Sequence, residues 1–376
     1  MTDKKLTTLG IIAVVMVVLA VIVSQAVKKR PAPSGSVDYL IQGLNPESIN
    51  KISIKSADDE LVIQKSQGKF VIPSKSSYPA KVSAVNTLIT DLMDIRVKEQ
   101  VTDNQDNYAD LEVTEETAAN TVKLLGNEDS VITGISIGKS ADGGGVYVKM
   151  LDDANVYLTQ SRPWIRTSAT DYMDTQLADV KKDDIEYVQV KSADGSYRIT
   201  NAGGGPELSD VPEGRKAKQS ELNSILGALS YLSFSDVAAA ADKSDLKFDS
   251  AFVCRLKDTT VYTFDIAKDG EDTYLKVKAE FTGDTQIMKE RREESEEELK
   301  EKEAKLLAIE NAQNYAARHK GWVYKIESYS AEKLIKPYDS LLEEPEPETE
   351  DKAEAEAGEP ESAPEKNESK PVSQEE

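Results

Sequence analysis

Isoleucine and valine alternate with polar residues over Ile49–Asp58, and the same pattern returns over Ile185–Asp194, 136 residues further on. Ile49, Ile52 and Ile54 of the first run align with Ile185, Val188 and Val190 of the second. A period of two belongs to a half-buried strand. In both runs Lys-Ser-Ala-Asp then leads into a second alternating stretch, Glu60–Lys65 or Ser196–Thr200, so each run predicts a hairpin. Asp194-Gly195 is a strong turn signal and Asp58-Asp59 a weaker one.

The period then changes to that of a helix. Val82, Val85, Leu88, Ile89, Leu92 and Ile95 make one apolar stripe, and Leu222, Ile225, Leu226, Leu229 and Leu232 make another. Spacings of three and four place each stripe on one helix face, to be buried against a sheet. Pro79 is expected in the first turn of the first helix. Alternation resumes afterwards, and each copy continues in the same order. Thr121–Leu125 matches Phe252–Leu256, Ile135–Lys139 matches Phe264–Lys268, and Val146–Lys149 matches Thr273–Lys276. The first copy closes on Val156-Tyr157-Leu158, the second on Trp322–Ile326. The expected fold class is α+β: two tandem diverged repeats, each an antiparallel hairpin plus meander with one packed helix.

Three stretches stand outside this pattern. Leu9–Val27 carries no charge, and 13 of its 19 residues are Leu, Ile, Val or Met. As a helix it would be roughly 28 Å long, the thickness of a bilayer core. Read as an uncleaved anchor, it makes the chain a single-pass membrane protein. A cleaved signal peptide is the alternative, since Ser24-Gln25-Ala26 offers small residues. Lys28, Lys29 and Arg30 just beyond them argue against export after cleavage. Basic residues flank both ends almost equally, so charge does not set the orientation. The position of the span at the N-terminus favours a signal-anchor with the bulk of the chain outside the cytoplasm. Met288–Arg318 is dense in Glu, Lys and Arg and has no Gly or Pro. It predicts a long solvated helix or helical hairpin, with Leu299, Leu306, Ile309, Ala312 and Ala316 as a thin apolar stripe. Such a helix either lies on its own domain or serves as an arm that docks a partner. From Glu343 onward, 14 acidic residues stand against 3 lysines, with Val372 the sole large aliphatic residue and no aromatic. That composition cannot bury a core, and disorder is expected. The chain is thus read as an anchor with flanks (1–30), a spacer (31–36), a first α+β repeat (37–182), a second (183–342) with a helical insertion at 285–318, and an acidic tail (343–376).

Charge and chemistry narrow the function classes. The formal net charge of −22 gives no basic footprint for nucleic acid. Cys254 is the only cysteine, so no intramolecular disulfide exists. In Phe252–Leu256 it reads as a small buried hydrophobe. His319 is the only histidine. Flanked by Arg318 and Lys320, it is expected at a surface helix end rather than in a catalytic or metal site. Gly134-Ile135-Ser136-Ile137-Gly138-Lys139-Ser140 resembles a phosphate-binding loop. However, three residues separate its glycines where four are needed, and no helix pattern follows. A hairpin turn is expected there. Gly203-Gly204-Gly205-Pro206 reads as a flexible loop. Trp164 and the tyrosines are candidates to line a binding surface, with sheet packing the default. No catalytic, cofactor-binding or metal-ligating residue is assigned, and no cofactor is expected.

The order of these features resembles the bacterial "domain of unknown function 4340" family. The residues that carry it begin with Ile52-Ser53-Ile54, Gly68-Lys69-Phe70-Val71-Ile72 and Tyr78-Pro79-Ala80. They continue with the helix to Leu92, Ile137-Gly138-Lys139, Val146–Lys149 and a closing Gly321–Ile326. It spans about Asp38 to Leu342. Gly203–Glu207 departs from the family by replacing a strand-like segment, so one hairpin is expected to be lost. The resemblance implies a membrane-anchored, extracytoplasmic accessory subunit, encoded beside gliding-motility-type ABC transport components. It supplies no catalytic residues. The expected function is a non-enzymatic accessory or scaffold protein of an ABC-type export system, in the bacterial inner membrane with the soluble region outside the cytoplasm. Its expected partners are the membrane and a transporter permease or associated subunits. The alternative is a module binding cell-envelope glycan or lipid in a concave site lined by Tyr and Trp. A carboxylate-based hydrolase is the minor third reading.

Overall fold

The computed structural model describes residues 38–57, 59–193, 195–286 and 295–344. The apolar stretch Leu9–Val27, the spacer, the turn residues Asp58 and Asp194, the start of the charged insertion and nearly all of the acidic tail lie outside the described residues. Among the described residues no helix is long and apolar enough to cross a membrane.

The architecture is α+β and built on two large antiparallel sheets. The first contains β1 (Lys51–Ser56), β2 (Glu60–Ser66), β3 (Lys69–Ile72), β4 (Tyr78–Pro79), β5 (Val97–Thr102), β6 (Asn120–Leu125), β7 (Val131–Ser140), β8 (Val146–Met150) and β9 (Val156–Thr159). Their order across the sheet is β4-β3-β2-β1-β6-β7-β8-β9-β5. A separate two-stranded sheet pairs β10 (Gln176–Ala178) with β14 (Leu232–Ser233). The second large sheet contains β11 (Ile185–Ser192), β12 (Gly195–Ala202), β13 (Gly205–Leu208), β15 (Asp236–Ala239), β16 (Ser250–Leu256), β17 (Thr260–Asp269), β18 (Asp272–Phe281) and β19 (Trp322–Ile326). Its order is β13-β12-β11-β16-β17-β18-β19-β15, the same sequence of connections as the first sheet without β4.

Register follows the apolar alternation. Ile52 stands between Ile63 and Leu124, and Ile54 between Leu61 and Val122. Val188 likewise stands between Ile199 and Cys254, and Val190 between Tyr197 and Phe252. All of these residues are buried in one continuous core that draws on both sheets. A one-residue slip would turn each set out to solvent, which is what pins the pairing.

Each sheet carries a helix on its core face. Helix α1 (Val82–Met93) buries Val85, Leu88, Ile89 and Leu92, while Val82 is 63% exposed. Pro79 lies outside α1. It sits in β4, opposite Val71, and Lys81 stands at the N-cap position without a side-chain capping bond. An edge strand tolerates a residue without an N–H. Helix α2 (Gln219–Leu226) is shorter than its apolar stripe. The chain turns at Gly227, whose N–H bonds to the Asn223 carbonyl, so Leu229 is buried in a turn and Leu232 in β14. The stripe in the sequence thus marks burial on one side of a path that only begins as a helix.

Among the described residues the inserted segment forms one helix, α3 (Glu296–His319), opened by a capping box between Ser295 and Glu298. At about 1.5 Å per residue it is roughly 36 Å long. Its C-terminal half packs on β17 and β18 through Ala308 and Ala312, whereas Leu299, Leu306 and Leu307 remain about half exposed. A short α4 (Ser328–Leu334) follows β19.

Two further expectations are corrected. Residues 134–140 are part of β7 and not a turn. A Cβ at Gly138 would stand 2.3 Å from the Leu111 carbonyl oxygen, and one at Gly134 would stand 2.5 Å from a Leu151 methyl group. Their glycines therefore serve close approach of neighbouring chain, not phosphate. The Gly203–Pro206 segment keeps its hairpin. Ala202 pairs with Gly205, whose φ of +123° suits glycine, and Ile199 pairs with Leu208. Pro206 is accommodated because β13 is an edge.

Candidate functional site at the junction of the two sheets

The sheets meet where the chain leaves β3. Pro73–Lys75 form a 3₁₀ turn, and Ser76 and Ser77 take left-handed conformations (φ 52° and 63°) that swing the segment towards β15. Lys75 Nζ then lies 2.7 Å from Asp236 Oδ1, and the Ser76 hydroxyl donates to Asp242 Oδ2 at 2.7 Å. Tyr78 enters a nest of rings behind this polar seam. Trp322, Phe234 and Tyr324 lie around it at centroid distances of 4.9, 5.7 and 6.3 Å, all close to edge-on. Such geometry is worth about 0.5–1.5 kcal/mol per pair beyond area burial. Tyr78 is 3% exposed, and burial raises the pKa of its phenol.

On the far side, Arg318 at the end of α3 holds Asp174 at 2.7 Å, and the Tyr315 hydroxyl donates to the Leu177 carbonyl at 2.9 Å. His319 is buried and not on the surface, with Nδ1 against the Tyr324 hydroxyl. Packing of the C-terminal half of α3 on β18 brings its last residue inward, between Tyr315 and Tyr324. Desolvation, helped by the nearby Arg318 cation, lowers its pKa to about 4. The imidazole is therefore neutral at neutral pH. Cys254 is buried in the core, and burial pushes its thiol up to about 12, which suits a packing role.

In front of the aromatic nest, a cleft of ≈800 Å³ opens between the sheets. Asp59, Glu60, Asp236, Glu271, Asp272 and Glu327 line it together with Lys75 and Lys325, and serine and threonine hydroxyls fill out its walls. Six carboxylates thus face two ammonium groups. Lys325 pairs with Asp272 at 2.8 Å; this bond lowers the pKa of the acid and raises that of the lysine. Both ion pairs are partly solvated and hold geometry more than they add stability. The surface suits a cationic or polyhydroxylic ligand through hydrogen bonds.

The junction aromatics fill the core behind the cleft and do not line it, so the expected Tyr/Trp-lined concavity is replaced by a polar one. Trp164 stands apart, 76% exposed. Among the described residues no group of His, Cys, Asp and Glu is arranged to hold a metal ion. The motifs Tyr78-Pro79-Ala80 and Trp322–Ile326 both stand out in the sequence, but nothing in either shows that Tyr78 packs on Trp322 and Tyr324. Lys75, Asp236 and Asp272 belong to no local pattern, and only the docking of the sheets brings them together.

A family model described as "Domain of unknown function (DUF4340)" matches residues 71–251, which include the aromatic Tyr78 and Phe234 of the junction. No curated protein matches the chain.

Proposed function

We propose that this chain, a DUF4340 protein over residues 71–251, is a non-enzymatic accessory scaffold of an ABC-type export system. In this reading Leu9–Val27 tethers it to the inner membrane and the two-sheet body stands outside the cytoplasm. We also read the body as two diverged copies of one α+β unit. The observation that supports the scaffold role is the fused junction. Tyr78 of the first sheet is buried among Phe234, Trp322 and Tyr324 of the second half, within one continuous core. A body joined this way holds its outer surfaces in a fixed relation, as a scaffold requires. Tethering at the membrane would raise the local concentration of its partners. Extraction of native membranes in mild detergent, followed by affinity purification of the intact chain, tests the proposal. Co-purification of an ATPase and a polytopic permease is the expected result. Recovery of the chain without either subunit overturns it.

The polar cleft favours a second reading, a cell-envelope glycan-binding module, because hydroxyls and carboxylates are the groups that hydrogen-bond sugars. Calorimetric titration with cell-wall glycan fragments separates the two. Binding that is lost in Lys75→Ala and Asp236→Ala supports it; no heat of binding for the parent chain removes it.

A further inference from the structure

The chain enters both halves in the same way. The Val97 N–H donates to the Asp38 carbonyl at 2.8 Å, and the Phe234 N–H donates to the Thr175 carbonyl at 3.0 Å. Both donor and acceptor recur 137 residues on (97 to 234, 38 to 175). At the last meander strand the match continues. Tyr157 of β9 stands opposite Val148 of β8, as Tyr324 of β19 stands opposite Leu275 of β18.

What covers this corner differs. In the second half it is the C-terminal part of α3, inserted between β18 and β19. Tyr315 bonds the Leu177 carbonyl of the entering strand, His319 meets the Tyr324 hydroxyl, and Arg318 pairs with Asp174. In the first half β8 reaches β9 through residues 151–155 alone, and the corresponding corner is a cleft of ≈460 Å³. Leu40, Val97, Met150 and Tyr157 give it a half-buried apolar floor, and Asp38 and Asp152 stand exposed at its rim. The Tyr157 hydroxyl turns to Asp153 of its own turn, at 2.9 Å.

We propose that this cleft is a docking seat for an amphipathic helix of a partner protein, one that carries lysine or arginine. The helical form is argued from α3, which occupies the matching corner of the second sheet. The basic character is argued from the two rim aspartates, and from the Arg318–Asp174 pair that joins helix to entering strand in the filled corner. The N-terminal half of α3 from a second copy is a poor fit, because residues 296–307 carry five glutamates against three lysines. The inference rests on the scaffold reading for the partner's being a protein, and Asp38 lies eight residues beyond the basic flank of the proposed anchor, Lys28–Arg30, which favours a partner at the membrane surface.

The test uses the full chain in native membranes, with p-benzoylphenylalanine in place of Met150 and, as a control, in place of the exposed Tyr329. Irradiation is expected to give an adduct from position 150 that peptide mass spectrometry maps to a Lys- or Arg-bearing helix of another protein. Asp38→Lys with Asp152→Lys should cut its yield by about tenfold, since like charges then face each other. Both sites are exposed, so thermal unfolding of this variant should match that of the parent. Absence of an adduct, an adduct with a second copy or with lipid, an equal pattern from the control position, or a yield indifferent to charge reversal overturns the seat. If detergent co-purification of transporter subunits survives such a result, only the seat has failed. A basic-helix adduct on a protein unrelated to transport leaves the seat standing and removes the transporter assignment.

Discussion

Nδ1 of His319 and the hydroxyl of Tyr324 lie 2.7 Å apart, sealed between the end of α3 and the last strand of the second sheet. This contact joins the charged insertion to the aromatic nest that also receives Tyr78. It has a consequence for pH. A folded-state pKa of about 4, against 6.5 in the unfolded chain, means that the unfolded state takes up the proton first on acidification. Stability from this group is whole above about pH 6.5 and is lost as pH falls towards 4, by up to about 3 kcal/mol. Urea unfolding at pH 7.0 and 4.5 should show that loss in the parent. His319→Gln should lose less over the same interval, since acidic residues common to both cancel in the comparison. Equal losses would mean that His319 does not titrate across the window.

Truncation at the junction should cost far more than a surface change. Tyr78→Ala removes a buried ring from contact with three others, and a loss of about 3–5 kcal/mol is expected. Tyr78→Phe keeps the ring and removes one hydroxyl, for about 1 kcal/mol. Calorimetry should give one transition for the described body of the parent, because both sheets share a core. Separate transitions for the two halves in the parent would show that the junction couples them weakly.

Much of the fold was legible because it depends on local period. The strands from Ile52 to Ile54 and from Val188 to Val190, and the buried stripes at Val85–Leu92 and Leu222–Leu226, show their burial in their own spacing. Boundaries failed where a residue's neighbour in space decides. Leu229 continues a helical period but follows the turn at Gly227, and Pro79 looks like a helix opener but pairs in β4. Arg318 and Lys320 beside His319 point to the surface, whereas its burial comes from Tyr324 and Tyr315 packed around it. The polar cleft was invisible for the same reason, as Lys75 and Asp236 are 161 residues apart in sequence.

Substitution separates Gly138, inside β7, from Gly143, in the turn between β7 and β8. Gly138→Ala would drive a methyl against the Leu111 and Glu112 carbonyls, at 2.3 and 2.9 Å, where backbone has to move. A destabilisation of about 2 kcal/mol or more is expected. Gly143→Ala, with nothing within 4 Å, should stay within about 0.5 kcal/mol of the parent. Denaturant midpoints measure both. Similar small effects at the two positions would remove the packing account of Gly138.

The N-terminus of α3 offers a last, local test. Ser295 accepts from the Glu298 N–H, while the Glu298 carboxylate accepts from the Ser295 N–H at 2.8 Å, so two free helix donors are satisfied together. Three glutamates in the first turn add a favourable interaction with the helix dipole. Ser295→Ala should cost the first turns about 1 kcal/mol. The exposed stretch Glu296–Lys305 has few buried contacts to hold it, whereas Ala308, Ala312 and His319 fasten the other end. Loss of the cap should therefore appear as faster amide exchange over the first turns of α3, roughly fivefold, with exchange near Tyr315 unchanged. Faster exchange along the whole helix would show that α3 melts as one unit, and that its packed half depends on its cap.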